Sequence, residues 1–149
     1  RWFMNVAESR ILKKISETEF YMYMKIKAPM GLSARDVPIR VVIQPYNSVR
    51  GSVVIKYSAI PGYLPISPKA IRMPNYEVTI KLLPLNEEQT LEETEGYAEP
   101  GGRVPAWLIN YLQRQIPYAS LIGRARDIPR YENNKVSCPF KYKEREAKL

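Results

Sequence analysis

Between Glu19 and Lys27 the side chains alternate without a break. Phe20, Met22, Met24 and Ile26 fall on one side, and Glu19, Tyr21, Tyr23, Lys25 and Lys27 on the other. A period of two is the geometry of a strand, whose neighbouring side chains point to opposite faces, so this segment is expected to lay one face on a core and turn the other to water. The pattern recurs from 37 to 43, with Val37, Ile39, Val41 and Ile43 on one face and Pro38, Arg40 and Val42 on the other. After turn residues at 47–51 it returns from Ser52 to Ala59, where Val53, Ile55, Tyr57 and Ala59 share a face while Ser52, Lys56 and Ser58 look out. Three such strands in succession predict an antiparallel meander. Weaker patterns predict strands at Glu8 to Ile15, at Tyr76 to Leu83 (Tyr76, Val78, Ile80 and Leu82 on one face) and at Glu88 to Tyr97.

The period then changes. Beyond Pro100-Gly101-Gly102, Pro105 suits the first turn of a helix, and Trp107, Leu108, Tyr111, Leu112 and Gln115 fall at helical spacing, which predicts a helix from about Pro105 to Gln115. Pro117 removes a backbone donor and should kink or interrupt it, with Leu121, Ile122 and Ala125 carrying an apolar stripe on toward Asp127. Six strands and one long C-terminal helix make an α+β layer, a curved antiparallel sheet covered on one face by the helix. At 149 residues this is one domain, followed from Pro129 by a polar, basic tail.

Several chemistries are excluded by composition. The chain has no histidine, which removes the imidazole-based triads and zinc sites, and its single cysteine, Cys138, can form neither an internal disulfide nor a thiolate cluster. No apolar run approaches the ~18 residues that would cross a bilayer. The net charge of +8 is dispersed, and between 86 and 99 there are only acids (Glu87, Glu88, Glu92, Glu93, Glu95, Glu99), so no dense basic block marks a nucleic-acid groove. A dispersed positive charge fits solubility or loose attraction to an anionic lipid surface.

What the sheet buries is a separate question from which face it buries. Met22 and Met24 are flexible gap-fillers suited to apolar ligands of variable shape, and the loop from Ile60 to Pro68 is apolar enough to suggest that it closes over something. Both features also fit an ordinary filled core, which composition alone favours.

Several segments resemble the START (steroidogenic acute regulatory protein-related lipid transfer) family. They are Trp2-Phe3-Met4-Asn5-Val6 leading to Ser9 through Ile15, Tyr23 to Pro29 followed by Ser33-Ala34-Arg35-Asp36, Ala70-Ile71-Arg72-Met73, and above all Tyr97 to Asn110. The likeness runs over residues 1–128, leaving 129–149 as the tail. It implies a helix-grip fold, a sheet wrapped round the C-terminal helix and enclosing an apolar tunnel for one sterol, phospholipid or fatty acyl lipid. The family's N-terminal helix and about three strands have no counterpart before Arg1, which leads us to expect a longer protein, a partner that completes the sheet, or a homo-oligomer. The family's sterol carriers hold a buried arginine six residues after the arginine of the Arg-Asp pair. Here that place is Val41, the strand that would supply the acid offers Met22, and Arg40 falls on the opposite face, which implies a cavity without that charged pair.

These readings give a noncatalytic lipid-binding or lipid-transfer domain with no cofactor and no metal. Its expected cavity is lined by Phe20, Met22, Met24, Ile26, Val41, Val53, Ile55 and Tyr57 from the sheet and Leu108, Tyr111 and Leu112 from the helix. Tyr63, Leu64 and Ile66 form the expected gate, meeting a membrane surface transiently. Arg35 and Asp36 are expected as a local structural pair, with contact to a ligand headgroup as the sharper alternative. A polyketide cyclase or aromatase of the same fold superfamily, and a protein-interaction module, are the competing functions.

Overall fold

The computed structural model describes residues 6–29, 31–86 and 89–132. The chain runs β1 (Val6–Lys14), β2 (Glu19–Ile26), β3 (Arg35–Asn47), β4 (Ser52–Ala59), β5 (Ile71–Arg72), β6 (Asn75–Pro84), β7 (Thr90–Glu99) and α1 (Ala106–Glu132). The strands form one sheet in the order β1-β2-β3-β4-β6-β7, every neighbour antiparallel, with the short β5 running parallel to the start of β3. The meander follows the alternation, and each of the six expected strands is present with its ends shifted by a few residues at most. The seventh, β5, was not expected: two residues hold no period, and it exists because Ile71 N donates to Ala34 O and Met73 N to Asp36 O.

Register puts the apolar faces together. Phe20 lies opposite Val41, Met22 opposite Ile39 and Met24 opposite Val37; across the next seam Val41 meets Tyr57 and Ile43 meets Ile55, and Ile55 then meets Ile80. Val37, Ile39 and Val41 are at most 1% exposed and form the core with Met24 and Met73, against which Phe20, Met22, Ile26, Ile55, Tyr57 and Tyr76 pack. Burying an aliphatic side chain of that size contributes roughly 1.5–3 kcal/mol, so this central seam fixes the sheet. Pro38 is accommodated within β3 because β4 has ended there: the next residue, Ile60, donates its N–H to Pro38 O, and the missing proline donor faces the chain's exit, where no ladder bond would form.

The outward face departs from expectation. Tyr23 and Pro38 were expected to look into water, yet both are buried, as is Asp36 beside them. The cause is the 60–69 loop, which folds back over this face and sets the Tyr63 ring edge-on against Tyr21, with centroids 4.9 Å apart. Farther along β3 Arg40 is exposed and pairs with Glu19 at 2.8 Å, but in β4 Ser52, also expected to look out, is fully buried, with the Arg50 side chain donating to its carbonyl.

Helix α1 starts where expected, with Pro105 O accepting from Leu108 N and Ile109 N. It then passes through Pro117 as one element and continues to Glu132, four residues into the segment expected as tail. Residues 133–149, including Cys138, and the opening Arg1 to Asn5 lie outside the described residues. Leu108 is 1% exposed and Leu112 is half-buried, but Leu121 and Ala125 are exposed, contrary to the stripe expected there. Beyond Pro117 the half-buried positions are instead Ala119, Ser120, Ile122, Gly123, Arg124 and Asp127. Among the described residues no helix is long and apolar enough to cross a membrane.

Candidate functional site

The site begins with the inward face of the sheet. Of the residues expected to line a cavity, Phe20, Met22, Met24, Ile26, Val41, Ile55 and Tyr57 all belong to one apolar cluster, and Val53 shares their face through its pairing with Leu82. Met24 and Val41 are buried in protein, whereas Phe20, Met22, Ile26, Val53, Ile55 and Tyr57 are covered only in part. Leu108 and Leu112 come from α1. Tyr111, expected beside them, is 54% exposed and so is no part of a sealed wall; it lies a quarter-turn round the helix from Leu112.

Sequence reasoning missed two charged residues on this side. In β7, Glu92 lies opposite Leu82, which lies opposite Val53, so Glu92 shares the inward face. From α1, Arg124 Nη2 meets Glu92 Oε1 at 2.7 Å, with about a fifth of each side chain exposed. The charges of both act on Tyr57, whose pKa is raised, chiefly by burial. Burial also pushes the Tyr76 phenol up to about 12, Tyr57 adding to the effect. Both phenols therefore stay protonated at neutral pH. The strand parity of Glu92 was readable from its register; the approach of Arg124 was not, because nothing local tells which turn of a long helix crosses which strand.

Arg35 and Asp36 hold the framework. Arg35 donates from Nη1 to Ser33 O at 2.6 Å and from Nε to Pro100 O at 3.3 Å, tying the start of β3 to the turn that leads into the helix. That turn needs its glycine: Gly101 has φ 64°, and a Cβ there would stand 2.8 Å from Arg72 O. Asp36, 1% exposed, accepts from Arg72 Nε at 3.0 Å and Nη2 at 3.1 Å. Arg72 also donates to the carbonyls of Leu64 and Pro65, so one guanidinium staples the 60–69 loop to the sheet. The Arg35 and Asp36 side chains spend their polar atoms on the fold, but not as the local pair expected: Arg35 bonds backbone carbonyls and Asp36 is bound by Arg72 from a distant segment.

The same staple corrects the gate. Tyr63 packs on Tyr21, Leu64 lines a cleft of about 340 Å³ with Tyr23, Lys25, Asp36 and Arg72, and Ile66 is 75% exposed. Tyr21, Tyr23, Lys25 and Asp36 all have the outward parity, so the loop sits on the face opposite the apolar one and cannot close over it. Tyr63 and Leu64 dock on the outside of the sheet, while Ile66 stays exposed.

Comparison with known proteins places this geometry. No family model matches the chain. An uncharacterized protein of Pseudomonas aeruginosa is 31% identical over 123 residues, which are 83% of this chain and 59% of that protein, so the chain spans about three-fifths of the curated relative it matches. Among solved structures, a STAR-related lipid transfer protein of Xanthomonas axonopodis is similar at 29% identity and a TM-score of 0.71, over 84% of this chain and 69% of that one. Human STARD10 and human StAR-related lipid transfer protein 5 match at TM-scores of 0.72 and 0.75, each over 89% of this chain and over 55% and 64% of theirs. Both are 14% identical and speak to the fold alone. A curved antiparallel sheet with one C-terminal helix, the stretch from Tyr97 to Asn110 leading into that helix, and a likeness to the Xanthomonas protein in sequence as well as fold together give this chain the helix-grip fold of START domains.

Proposed function

We propose that this chain is a noncatalytic lipid-binding or lipid-transfer domain that holds one apolar ligand between the inward face of the sheet and α1. The observation that carries the reading is the continuous apolar surface of Phe20, Met22, Ile26, Val53, Ile55 and Tyr57, which lies on the helix side yet is covered by protein only in part. Apolar surface left open in this way gains by covering, and each methylene of an acyl chain buried there contributes about 0.8 kcal/mol. The positive net charge supports transient contact with an anionic membrane surface for loading and release. The edge strand β1 carries Ile11 at 68% exposure, which supports further pairing at that edge, by more of the same protein or by a second chain. An enzyme reading gains nothing comparable, since among the described residues the inward face brings no nucleophile and base together.

The test is lipid capture. The protein is incubated with vesicles of mixed phosphatidylcholine, fatty acid and cholesterol, re-isolated, and weighed by native mass spectrometry. One lipid adduct per chain is expected, and Ile55→Glu should abolish it without unfolding the sheet. A protein that emerges with no adduct, or one whose adduct survives Ile55→Glu in a folded variant, overturns the proposal.

A further inference from the structure

The apolar face is not apolar throughout. At the end where α1 crosses β7, the inward-facing Glu92 is bound by Arg124 Nη2 at 2.7 Å, so a full ion pair stands on the ligand side of the sheet. The pair leaves one donor over: Arg124 Nε is buried and has no hydrogen-bond acceptor among the described residues. A guanidinium presents its N–H groups in a fixed fork, so with Nη2 committed to Glu92 the direction of Nε–H is set by the same geometry. Buried donors without acceptors are rare in proteins, and one beside a candidate ligand surface marks a place for a ligand oxygen.

The charge balance narrows what that oxygen belongs to. Glu92 already neutralises Arg124, so an incoming carboxylate or phosphate would meet the Glu92 charge within a few ångströms and find no spare cation in the pair. A neutral oxygen meets no such repulsion. Tyr57, on the same face and within the field of both charges, keeps its phenol protonated and makes no hydrogen bond among the described residues, so it too can donate.

We propose that Arg124, held by Glu92, is the polar anchor of the ligand site, and that the ligand class is a lipid with an uncharged oxygen acceptor, such as an ester, a ketone or a hydroxyl, at one end of its hydrocarbon body. This rests on the lipid-binding reading above and sharpens it. It also replaces the expectation, drawn from Val41 and Met22, of a cavity with no charged pair: the pair comes from β7 and α1 rather than from the two strands where it was sought.

The experiment uses three probes of matched chain length, hexadecane, methyl palmitate and palmitate, each displacing a bound N-phenyl-1-naphthylamine dye from the whole chain. The wild type should bind methyl palmitate about tenfold more tightly than hexadecane, the value of one hydrogen bond from a charged donor, and more tightly than palmitate. Arg124→Lys keeps a cation for Glu92 but removes the Nε–H, and should erase the preference for the ester while leaving hexadecane affinity unchanged. Glu92→Gln frees the positive charge and should shift preference toward palmitate. Equal binding of ester and hydrocarbon by the wild type, tighter binding of palmitate than of the ester, or an ester preference that survives Arg124→Lys each overturns the anchor while leaving lipid binding intact. Failure of the dye and all three probes to bind overturns both.

Discussion

Removing the Asp36 carboxylate should be the most damaging single change on the outward face. Asp36 is 1% exposed and receives both Nε and Nη2 of Arg72, itself only 8% exposed. Asp36→Ala would leave the Arg72 guanidinium in place, held by the carbonyls of Leu64 and Pro65 but with no counter-charge. Stranding one partner of a buried pair costs about 3–5 kcal/mol. A chain of this size loses about 2–4 °C of Tm per kcal/mol, so the expected drop is roughly 6–20 °C in a calorimetric or circular-dichroism melt. The internal control lies on the same strand: Arg40 pairs with Glu19 in the open, where solvent screens an ion pair and side-chain entropy offsets it, so Arg40→Ala should barely move the melt. A second control tests the cause. Asp36→Ala combined with Arg72→Met should be more stable than Asp36→Ala alone, because no buried charge is left unpaired. A loss of under about 3 °C for Asp36→Ala, or a double variant weaker than the single one, would refute the reasoning.

Two further outcomes are expected. Val41→Arg should destabilise the domain severely, because Val41 is 1% exposed in the centre of the sheet and an arginine there would be an unpaired buried charge; a Tm within a few degrees of the wild type would show that the face can open. Tyr76 should titrate near 12 by ultraviolet difference spectroscopy. Since its folded pKa lies above the ordinary value near 10, the protonated form is favoured by folding, so this contribution to stability is complete below about pH 10 and is lost as pH rises toward 12; a Tyr76→Phe variant with the same alkaline loss would exclude it as the cause.

Strand parity is the part of this protein that sequence alone determined. Whether Val41 or Arg40 faces the core is decided by which neighbours alternate with it, and a one-residue slip would have turned Val37, Ile39 and Val41 to water together, so local pattern was enough. The start of α1 was equally local, set by Pro105 and the change of period after Gly102. The tertiary structure decided the rest. That β5 exists depends on Arg35 and Asp36 lying beside Ile71 and Arg72; that Tyr63 and Leu64 cover the outside of the sheet rather than gate the inside depends on the Arg72 staple; and that Glu92 is no free surface acid depends on where Arg124 of a helix far along the chain comes to rest. Periodicity reports which way a side chain points relative to its own backbone. What it points at is set by long-range packing, whose free energy is shared among many residues and written in no single stretch of sequence.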